Sequence, residues 1–512
     1  TANWIFSPTK PAHKQALFID ELKLAPLAVG AMGQPKIDKF FQEHHKAVPA
    51  VEIFTRLSQL DKLKSTYVDG FYNRVKLNPS TKKDCRIRPG FGFTGTVTGR
   101  SNSYDPNLQN IPQRGKFAKF IKRMFVAPRG CLLVKMDYSA HEVRMWGIVS
   151  SDDLLCSLFI NGRWLRQQYR KTGDAAYKTL MDTKGDIHKV NCEFFFKVEA
   201  KDVTPEQRNS VKSIVFGAIY GRGAKAIASQ AGASVDSIKE ILTSFFKRFK
   251  KASDWLDYAK KHAVNHGHMY SPIGRVRNMY TQLYGVDGFT AAAERRGCNA
   301  PIQGFAADIG HTAGYLYQIH IEDVVRKFEL DKDKILRAGV NSFVHDAIKT
   351  DAPYEYLLVC LQVLQWCATT GVMAYYKDHW NIKFHVEIEV EFELAAHDEA
   401  HWKFDWHEGD GQTLDKGKVV GGGLRFVIRK ALEDQKEVYP DIDVDAIEKT
   451  IWAVRKNKEL TAYLDKNYPI LADWPDAKHI DVNSADFKNG LGKLVKQTRL
   501  ELAKQQKALA NV

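Results

Sequence analysis

The segment Cys131-Leu-Leu-Val-Lys-Met-Asp-Tyr-Ser-Ala-His-Glu-Val-Arg144 changes character at its centre. Residues 131–136 form a compact, mostly apolar run of strand type, which ends on Asp137. A carboxylate at a strand terminus is well placed to hold a divalent cation. Two plainer readings stand beside this one: Asp137 is an ordinary turn aspartate, or Ser139 and Glu142 form the S-x-x-E capping box of a following helix. A second strand-like region covers residues 338–350, and within it Phe343-Val-His-Asp346 reads as a strand entering a tight turn. Asp346 sits at that turn, where a turn-capping aspartate is again the plainer reading.

Between these segments, Arg208, Lys212, Phe216 and Tyr220 recur every four residues. Four residues advance an α-helix by about 400°, so the four side chains form one slowly drifting stripe. Arg208 and Lys212 repel at this spacing by about 0.2–0.5 kcal/mol, and an anion against the face turns that repulsion into attraction. A triphosphate is the natural anion, with the aromatic rings further along offering stacking surfaces for a base. A surface helix whose aromatics enter the core explains the same spacing. Pro205-Glu206 suits the first turn of this helix and Gly221 its end. Two more segments are rich in amide, hydroxyl and guanidinium groups. One spans residues 98–112, around Arg100, Asn107 and Gln109; the other spans residues 294–304, with Arg295, Asn299 and Gln303. Such groups suit phosphate, sugar and minor-groove contacts, although each segment alone reads equally as a loop.

Composition bounds the rest. At roughly 100–200 residues per domain, 512 residues suggest about three to five packing units. A content of 44% hydrophobic and 26% charged residues excludes a mostly disordered chain or a collagen-like repeat. The net charge of +15 points to a polyanionic partner, or merely to a soluble surface. It is concentrated in residues 1–407, which carry 57 basic and 43 acidic residues, against 18 and 17 beyond them. Seven cysteines without a C-x-x-C pair argue against a disulfide framework or zinc knuckle and fit a reducing cytosol. No run of 18 apolar residues occurs, so no membrane span is expected. The N-terminus lacks a signal pattern and an initiator Met, and the chain is expected to be a processed or cut piece.

Along the chain, residues 1–65 read as helical with breaks at Pro26, Gly30 and Gly33, and residues 80–115 as turns and short strands. Residues 141–265 read as mainly helical. A helix is expected over 354–376 and an alternating strand over 384–392. A linker at Glu408-Gly-Asp-Gly leads to helices near 440–465 and 485–510, and no internal repeat occurs.

In this order, the segments resemble the family A DNA polymerases, the DNA polymerase I-like group. Asp137-Tyr-Ser-Ala-His-Glu-Val-Arg144 resembles motif A (D-Y-S-x-x-E-x-R). Arg208-x3-Lys212-x3-Phe216-Gly-x-x-Tyr220-Gly221 resembles motif B, and Val344-His345-Asp346 resembles motif C. Thr98-Gly-Arg100 with residues 105–112, Asn299-Ala-Pro-Ile-Gln303-Gly, and Leu60-Asp-Lys-Leu-Lys-Ser-Thr-Tyr67 match further family segments. The resemblance covers residues 1–407. It implies an α+β right-hand polymerase fold, with an antiparallel palm sheet, helical fingers and thumb, and a mainly helical C-terminal extension. The implied divisions are a partial thumb (1–80), palm with motif A (81–150), fingers with motif B (151–295), palm with motif C (296–407), and an extension of unassigned role (408–512).

The resemblance further implies a template-directed DNA polymerase. Asp137 and Asp346, with the Tyr138 carbonyl, would hold two Mg²⁺ ions, with Mn²⁺ as the alternative. Arg208, Lys212 and His188 would grip the dNTP, Phe216 would stack near it, and Tyr220 would pair with Glu142, which would exclude a ribose 2′-OH. Arg100, Asn107, Gln109, Arg295, Asn299, Gln303 and His345 would track primer–template DNA. The expected partners are primer–template, dNTPs and a separate exonuclease or processivity factor, with no membrane. The expected location is the cytoplasm of a bacterial or phage-infected cell, with an organelle as the alternative.

Several features depart from the pattern. Ala347 stands where motif C usually carries Glu, which predicts slower or metal-sensitive catalysis, with Asp351 or Asp308 as candidate replacements. Residues 160–184 exceed the expected spacer and read as a fingers insertion. The resemblance begins mid-thumb and includes no 3′–5′ exonuclease, so no proofreading is expected from this chain. The basic, amphipathic residues 491–512 read as a helix packed on the body or as a docking surface for DNA or a replication partner. Two other functions compete with the leading one. Ala347 favours a catalytically weak DNA-binding replication subunit. Glu142 opposes a single-subunit RNA polymerase, which needs room beside the 2′-OH.

Overall fold

Strand β1 (Cys131–Tyr138) buries Leu132, Val134, Met136 and Tyr138, while Lys135 and Asp137 face the other side. The two-residue period of a strand turns this alternation into one apolar and one charged face. The computed structural model describes residues 7, 10–30, 33–77, 85–93, 95–112, 117–231, 233–280, 290–335, 338–406, 412–415, 418–470 and 473–510. Among these, β1 lies inside a seven-stranded sheet with β2 (Val340–Val344), β3 (Ala347–Pro353), β4 (Val390–His397), β5 (Ala400–Asp405), β6 (Gln412–Asp415) and β7 (Lys418–Gly423). The strand order is β6-β7-β5-β4-β1-β3-β2. The pairings are antiparallel except β7 against β5.

Helices α1 (His141–Ser150), α2 (Asp153–Thr172), α3 (Ala175–Thr183), α4 (Ile187–Phe196) and α5 (Pro205–Ile219) follow β1. Their starts are written locally. Asp152, Asp174 and Asp186 each accept backbone N–H groups at the N-termini of α2, α3 and α4. Thr204 and Gln207 form a reciprocal capping box on α5, with Pro205 in its first turn. Residues 160–184, read as an insertion, are thus the greater part of α2, all of α3 and the residues that join and follow them. The long helix α6 (Thr290–Lys327) precedes β2.

Helix α7 (Tyr354–Trp380) is long and apolar enough, by length and composition, to cross a membrane; 83% of that apolar window is buried within the protein. It is therefore a core helix, and its apolar character is spent on packing. The expected strand over 384–392 forms only from Val390 onward. Phe384, Val386, Glu387, Ile388 and Glu389 are all buried, so this stretch is enclosed on both sides instead of presenting one wet face.

The extension is built into the core. Helices α8 (Leu424–Val438), α9 (Val444–Ala453) and α10 (Lys458–Asn467) place Leu424, Val427, Ile428, Leu432, Ile451, Leu460 and Leu464 in the same cluster as Val134, Met136 and Phe392. Buried Gln435 of α8 donates to the Cys131 carbonyl at 2.8 Å and accepts from Tyr354 Oη at 2.5 Å. Helix α11 (Leu491–Ala510) packs Leu491 and Val495 against Leu165, Tyr177 and Leu180, and Arg499 donates to Asp174 at 2.6 Å. Its inner face is thus occupied by α2 and α3.

Contacts divide the chain into two compact units, Thr1–Phe91 with Ser103–Ile121, and Gly92–Asn102 with Lys122–Val512. The smaller has its own core of Phe18, Phe41, Val51 and Phe54, the last two from helix Pro49–Leu63.

Each fully buried Leu, Ile or Val contributes about 1.5–3 kcal/mol. Deleting residues 424–512 is therefore expected to yield insoluble protein or a non-cooperative melt. Deleting only residues 485–512, which uncovers Leu165 and Tyr177, is expected to leave a cooperative transition lowered by several degrees. Circular dichroism melts distinguish the two.

Candidate active site

The pairing of β1 fixes the first carboxylate. Asp137 lies opposite Ala347 of β3 and opposite Glu391 of β4. Asp346 immediately precedes Ala347, in the two-residue turn between β2 and β3, so the two aspartates meet at adjoining strand ends. Short hairpin turns require positive φ at their first central residue, and His345 supplies it with φ 57° at a cost of about 1 kcal/mol or more for a non-glycine residue. Burial raises the Asp137 pKa above its ordinary value, and the nearby Asp346 charge adds to this, while Lys135 opposes both. Lys135 Nζ lies 3.4 Å from Asp137 Oδ2 and 3.1 Å from Glu393.

Glu142 is buried at the start of α1 and is not a capping residue. The N-cap is Ala140, in left-handed conformation, with no side-chain cap bond. The capping-box reading of Ser139 and Glu142 is thereby corrected. The Glu142 carboxylate instead accepts from the Tyr220 hydroxyl, from Arg100 Nη2, and from Gln303 Nε2 at 3.3 Å. Arg100 Nη2 also reaches Asp346 Oδ1 at 3.4 Å. A continuous polar chain therefore runs Tyr220–Glu142–Arg100–Asp346. Burial and the adjacent Glu142 charge raise the Tyr220 pKa, so its hydroxyl stays protonated and donates.

On α5, Val211, Ile214, Val215 and Ala218 enter the core, while Lys212 is exposed and Arg208, Phe216 and Tyr220 are half-buried. Arg208 Nε donates to Asp186 at 2.8 Å, which offsets the repulsion from Lys212. Burial alone would raise the Asp186 pKa; the Arg208 charge and hydrogen bond outweigh it and lower the value. Buried His188 lies beside this pair, its ring 6.5 Å from that of Phe216. Burial, reinforced by Arg208 and Lys212, lowers its pKa to about 4.

The loop carrying Arg100 rests on close backbone approach. Gly99 has φ 80°, and a Cβ there would meet the Arg275 guanidinium at 3.0 Å; a Cβ on Gly304 of α6 would meet the Thr98 carbonyl at 3.0 Å. Arg275 itself pairs with buried Asp308 of α6. Arg275 was not singled out from sequence, and its only local signal is the turn Ser271-Pro-Ile-Gly274. Arg295 packs beside Gly221 just past the end of α5, and Asn299 Oδ1 is buried with no hydrogen-bond partner among the described residues. Asn107 and Gln109 belong to the smaller unit, where Asn107 Oδ1 accepts the Gln109 N–H at 3.0 Å.

The two candidate replacements for the motif C glutamate are each committed elsewhere or distant along the strand. Asp308 is engaged by Arg275. Asp351 lies four residues along β3 from Ala347, about 13 Å away at strand rise, opposite Leu133. The register puts Glu391 on the other flank of Asp137, where it pairs with Lys403 at 2.7 Å.

Behind the charged face, Arg144 Nε donates to the Ser139 carbonyl at 2.9 Å and Nη1 to the Glu387 carbonyl at 2.8 Å, and Nη2 pairs with buried Glu389. Arg166 of α2 reaches Glu389 at 2.8 Å, and Arg163 reaches Glu387 at 3.1 Å. Burial would raise the Glu389 pKa, but the surrounding guanidiniums drive it far down. A cavity of about 240 Å³ opens here, lined by Arg163, Arg166, Arg170, Glu387 and Glu389.

Among the described residues no group of three or more His, Cys, Asp or Glu side chains is arranged to hold a metal. Two carboxylates with a backbone carbonyl nevertheless fit Mg²⁺, which takes oxygen ligands from one or two carboxylates and completes its shell with water and substrate phosphate.

The profile of DNA polymerase family A matches residues 5–399. The chain belongs to this family. It is 29% identical over 353 residues to DNA polymerase I of Caldicellulosiruptor bescii, covering 68% of this chain and 37% of that protein. It is 30% identical over 310 residues to the thermostable DNA polymerase I of Thermus aquaticus, covering 60% and 33%. Against DNA polymerase I of Chloroflexus aurantiacus it is 33% identical over 306 residues, covering 60% and 28%. The chain thus spans about a third of the length of these relatives. A solved structure, the POL domain of Pol1 from M. smegmatis in complex with DNA primer-template and dNTP, superimposes with a TM-score of 0.61 at 27% identity, covering 77% of this chain and 61% of that one. The α+β architecture is the right-hand fold of family A polymerases.

The lowered His188 pKa gives a signed pH prediction. Between its ordinary value of 6.5 and about 4, the unfolded chain binds a proton at His188 that the folded chain does not, so stability falls as pH drops through this window. His188→Gln removes the difference. Thermal melts at pH 7 and 4.5 are expected to differ less for this variant than for the parent family A chain.

Proposed function

We propose that this chain is a template-directed DNA polymerase that adds dNTPs to a primer 3′-OH. The observation that carries the proposal is the polar chain Tyr220–Glu142–Arg100–Asp346, which ties the cationic stripe of α5 to the paired carboxylates. The M. smegmatis neighbour, determined with primer-template and dNTP, supports the same substrates here.

In this reading Asp137, Asp346 and the Tyr138 carbonyl hold two Mg²⁺ ions, with Mn²⁺ able to replace them. When bound, these ions acidify the primer 3′-OH and neutralise the leaving pyrophosphate. Arg208 and Lys212 grip the triphosphate, which adds to Asp186 in offsetting their mutual repulsion. His188, with its pKa lowered to about 4, is neutral near pH 7 and donates or accepts a hydrogen bond beside them without adding charge. Phe216 stacks near the incoming sugar and base. Glu142, fixed by Tyr220, Arg100 and Gln303, occupies the space that a 2′-OH would need.

Arg100, Arg295, Asn299, Gln303 and His345 contact the minor groove. Its acceptors are nearly the same for every base pair, which suits an enzyme that must extend all of them. Asn107 and Gln109 carry the same role from their own unit. In making this contact Arg100 would leave Asp346, whose carboxylate would then be free to hold a cation.

Primer extension tests the proposal. With Mg²⁺, the chain is expected to extend a primed template with dNTPs and not with rNTPs, and Asp137→Asn or Asp346→Asn is expected to abolish extension. Glu142→Ala is expected to admit rNTPs. Ala347 favours a second reading, a catalytically weak DNA-binding subunit. Tight primer–template binding with no extension by the parent chain would select it.

A further inference from the structure

The charged face of the sheet carries two adjacent rows. One runs Ala347–Asp137–Glu391, and the next runs Lys349–Lys135–Glu393–Lys403 across β3, β1, β4 and β5. The second row holds three ammonium groups and one carboxylate. Lys349 is neutralised by buried Asp398, and Lys403 by Glu391. Glu393 is shared, with His401 Nδ1 at 3.5 Å as well as Lys135 Nζ at 3.1 Å. Lys135 therefore keeps an unspent attraction for Asp137, 3.4 Å away. Lys135 is 23% exposed and Glu393 14%, so water and salt screen these charges only partly.

We propose that Lys135 is a positioning residue that competes with the divalent cation for Asp137, so that the metal binds weakly until a nucleotide's phosphates bring further oxygens. The inference rests on the metal-site reading given above. It follows from charge and register. Any cation ligated by Asp137 faces an ammonium ion held on the same strand face two residues away. Ala347 acts in the same direction, since the family's usual carboxylate at that position is missing. Both changes make the bare carboxylate pair a poorer cation trap, while a Mg²⁺–triphosphate complex arrives already partly neutralised and is favoured by Arg208 and Lys212.

Nucleotide-free Mn²⁺ binding, read by the loss of the free-ion electron paramagnetic resonance signal, tests this without recourse to activity. Lys135→Met and Lys135→Gln are expected to tighten Mn²⁺ binding by about fivefold or more, a conservative scale for removing one unit charge that faces a divalent ion across a shared carboxylate, even at the dielectric of water. Lys349→Met, which removes an ammonium paired elsewhere, is expected to stay within about twofold of the parent. Circular dichroism melts establish that each variant is folded. The proposal is overturned if both Lys135 variants bind Mn²⁺ as the parent does, or if Lys349→Met tightens binding equally, which would mark a general charge effect. If the Asp137→Asn, Asp346→Asn double variant binds Mn²⁺ like the parent, the cation is not at these carboxylates, and the metal-site reading falls together with this one. Loss of binding in the double variant with no gain in the Lys135 variants overturns the role of Lys135 alone.

Discussion

One register governs the functional face: Asp137 opposite Ala347 on one side and Glu391 on the other. A slip of one residue would turn Asp137 and Lys135 into the apolar core and bring Met136 and Val134 to the surface. That slip is blocked by the burial of Leu132, Val134 and Met136 against the helices, and by Gln435 holding the Cys131 carbonyl at the start of the strand. The carboxylates are therefore placed by hydrophobic packing on the opposite face of the same strand. The extension contributes directly, because Gln435 and the apolar side of α8 lie in that packing.

Around this frame the protein buries charge, and each buried charge is matched. Glu142 accepts from three donors. Glu389 is ringed by Arg144, Arg163 and Arg166, and Asp308 is held by Arg275. Removing one partner from such a set typically costs about 3–5 kcal/mol, because the remaining charge is left uncompensated in a poorly solvated site. These sets gain geometry more than stability. Arg144 clamps the Ser139 carbonyl just after Asp137 and Tyr138, and Arg275 supports the glycine-bearing loop that aims Arg100 at Glu142 and Asp346.

The polar chain from Tyr220 to Asp346 also joins two parts with different tasks. The sheet end, paired on both sides of β1, carries the carboxylates. The α5 stripe is half-exposed and held mainly by Asp186 and by Glu142. Arg100 is shared between Glu142 and Asp346, so one guanidinium joins the carboxylate end of the chain to the Tyr220 end.

Much of this was legible in the sequence. The apolar run ending on Asp137, the four-residue spacing from Arg208 to Tyr220 and the turn at His345-Asp346 depend on local periodicity and turn chemistry, which a single strand or helix expresses by itself. Other features depended on partners far away in the chain. The local S-x-x-E pattern made Glu142 look like a capping residue; the family resemblance pointed to its pairing with Tyr220, which the structure contains, while its contacts with Arg100 and Gln303 had no signal in the chain. The stretch from Phe384 alternated like a half-exposed strand, yet Glu387 and Glu389 are buried because α1 and α2 bring three arginines to them. The role of the extension was unassigned from sequence, its linker reading at 408–411 lies outside the described residues, and only the assembled sheet reveals the apolar surface that α8, α9 and α10 cover. Sequence alone therefore determined the elements, the family and the chemical identity of the carboxylates and cations. Tertiary structure decided which charges meet, since cross-strand register and helix packing set distances between residues hundreds of positions apart, and no local pattern encodes them.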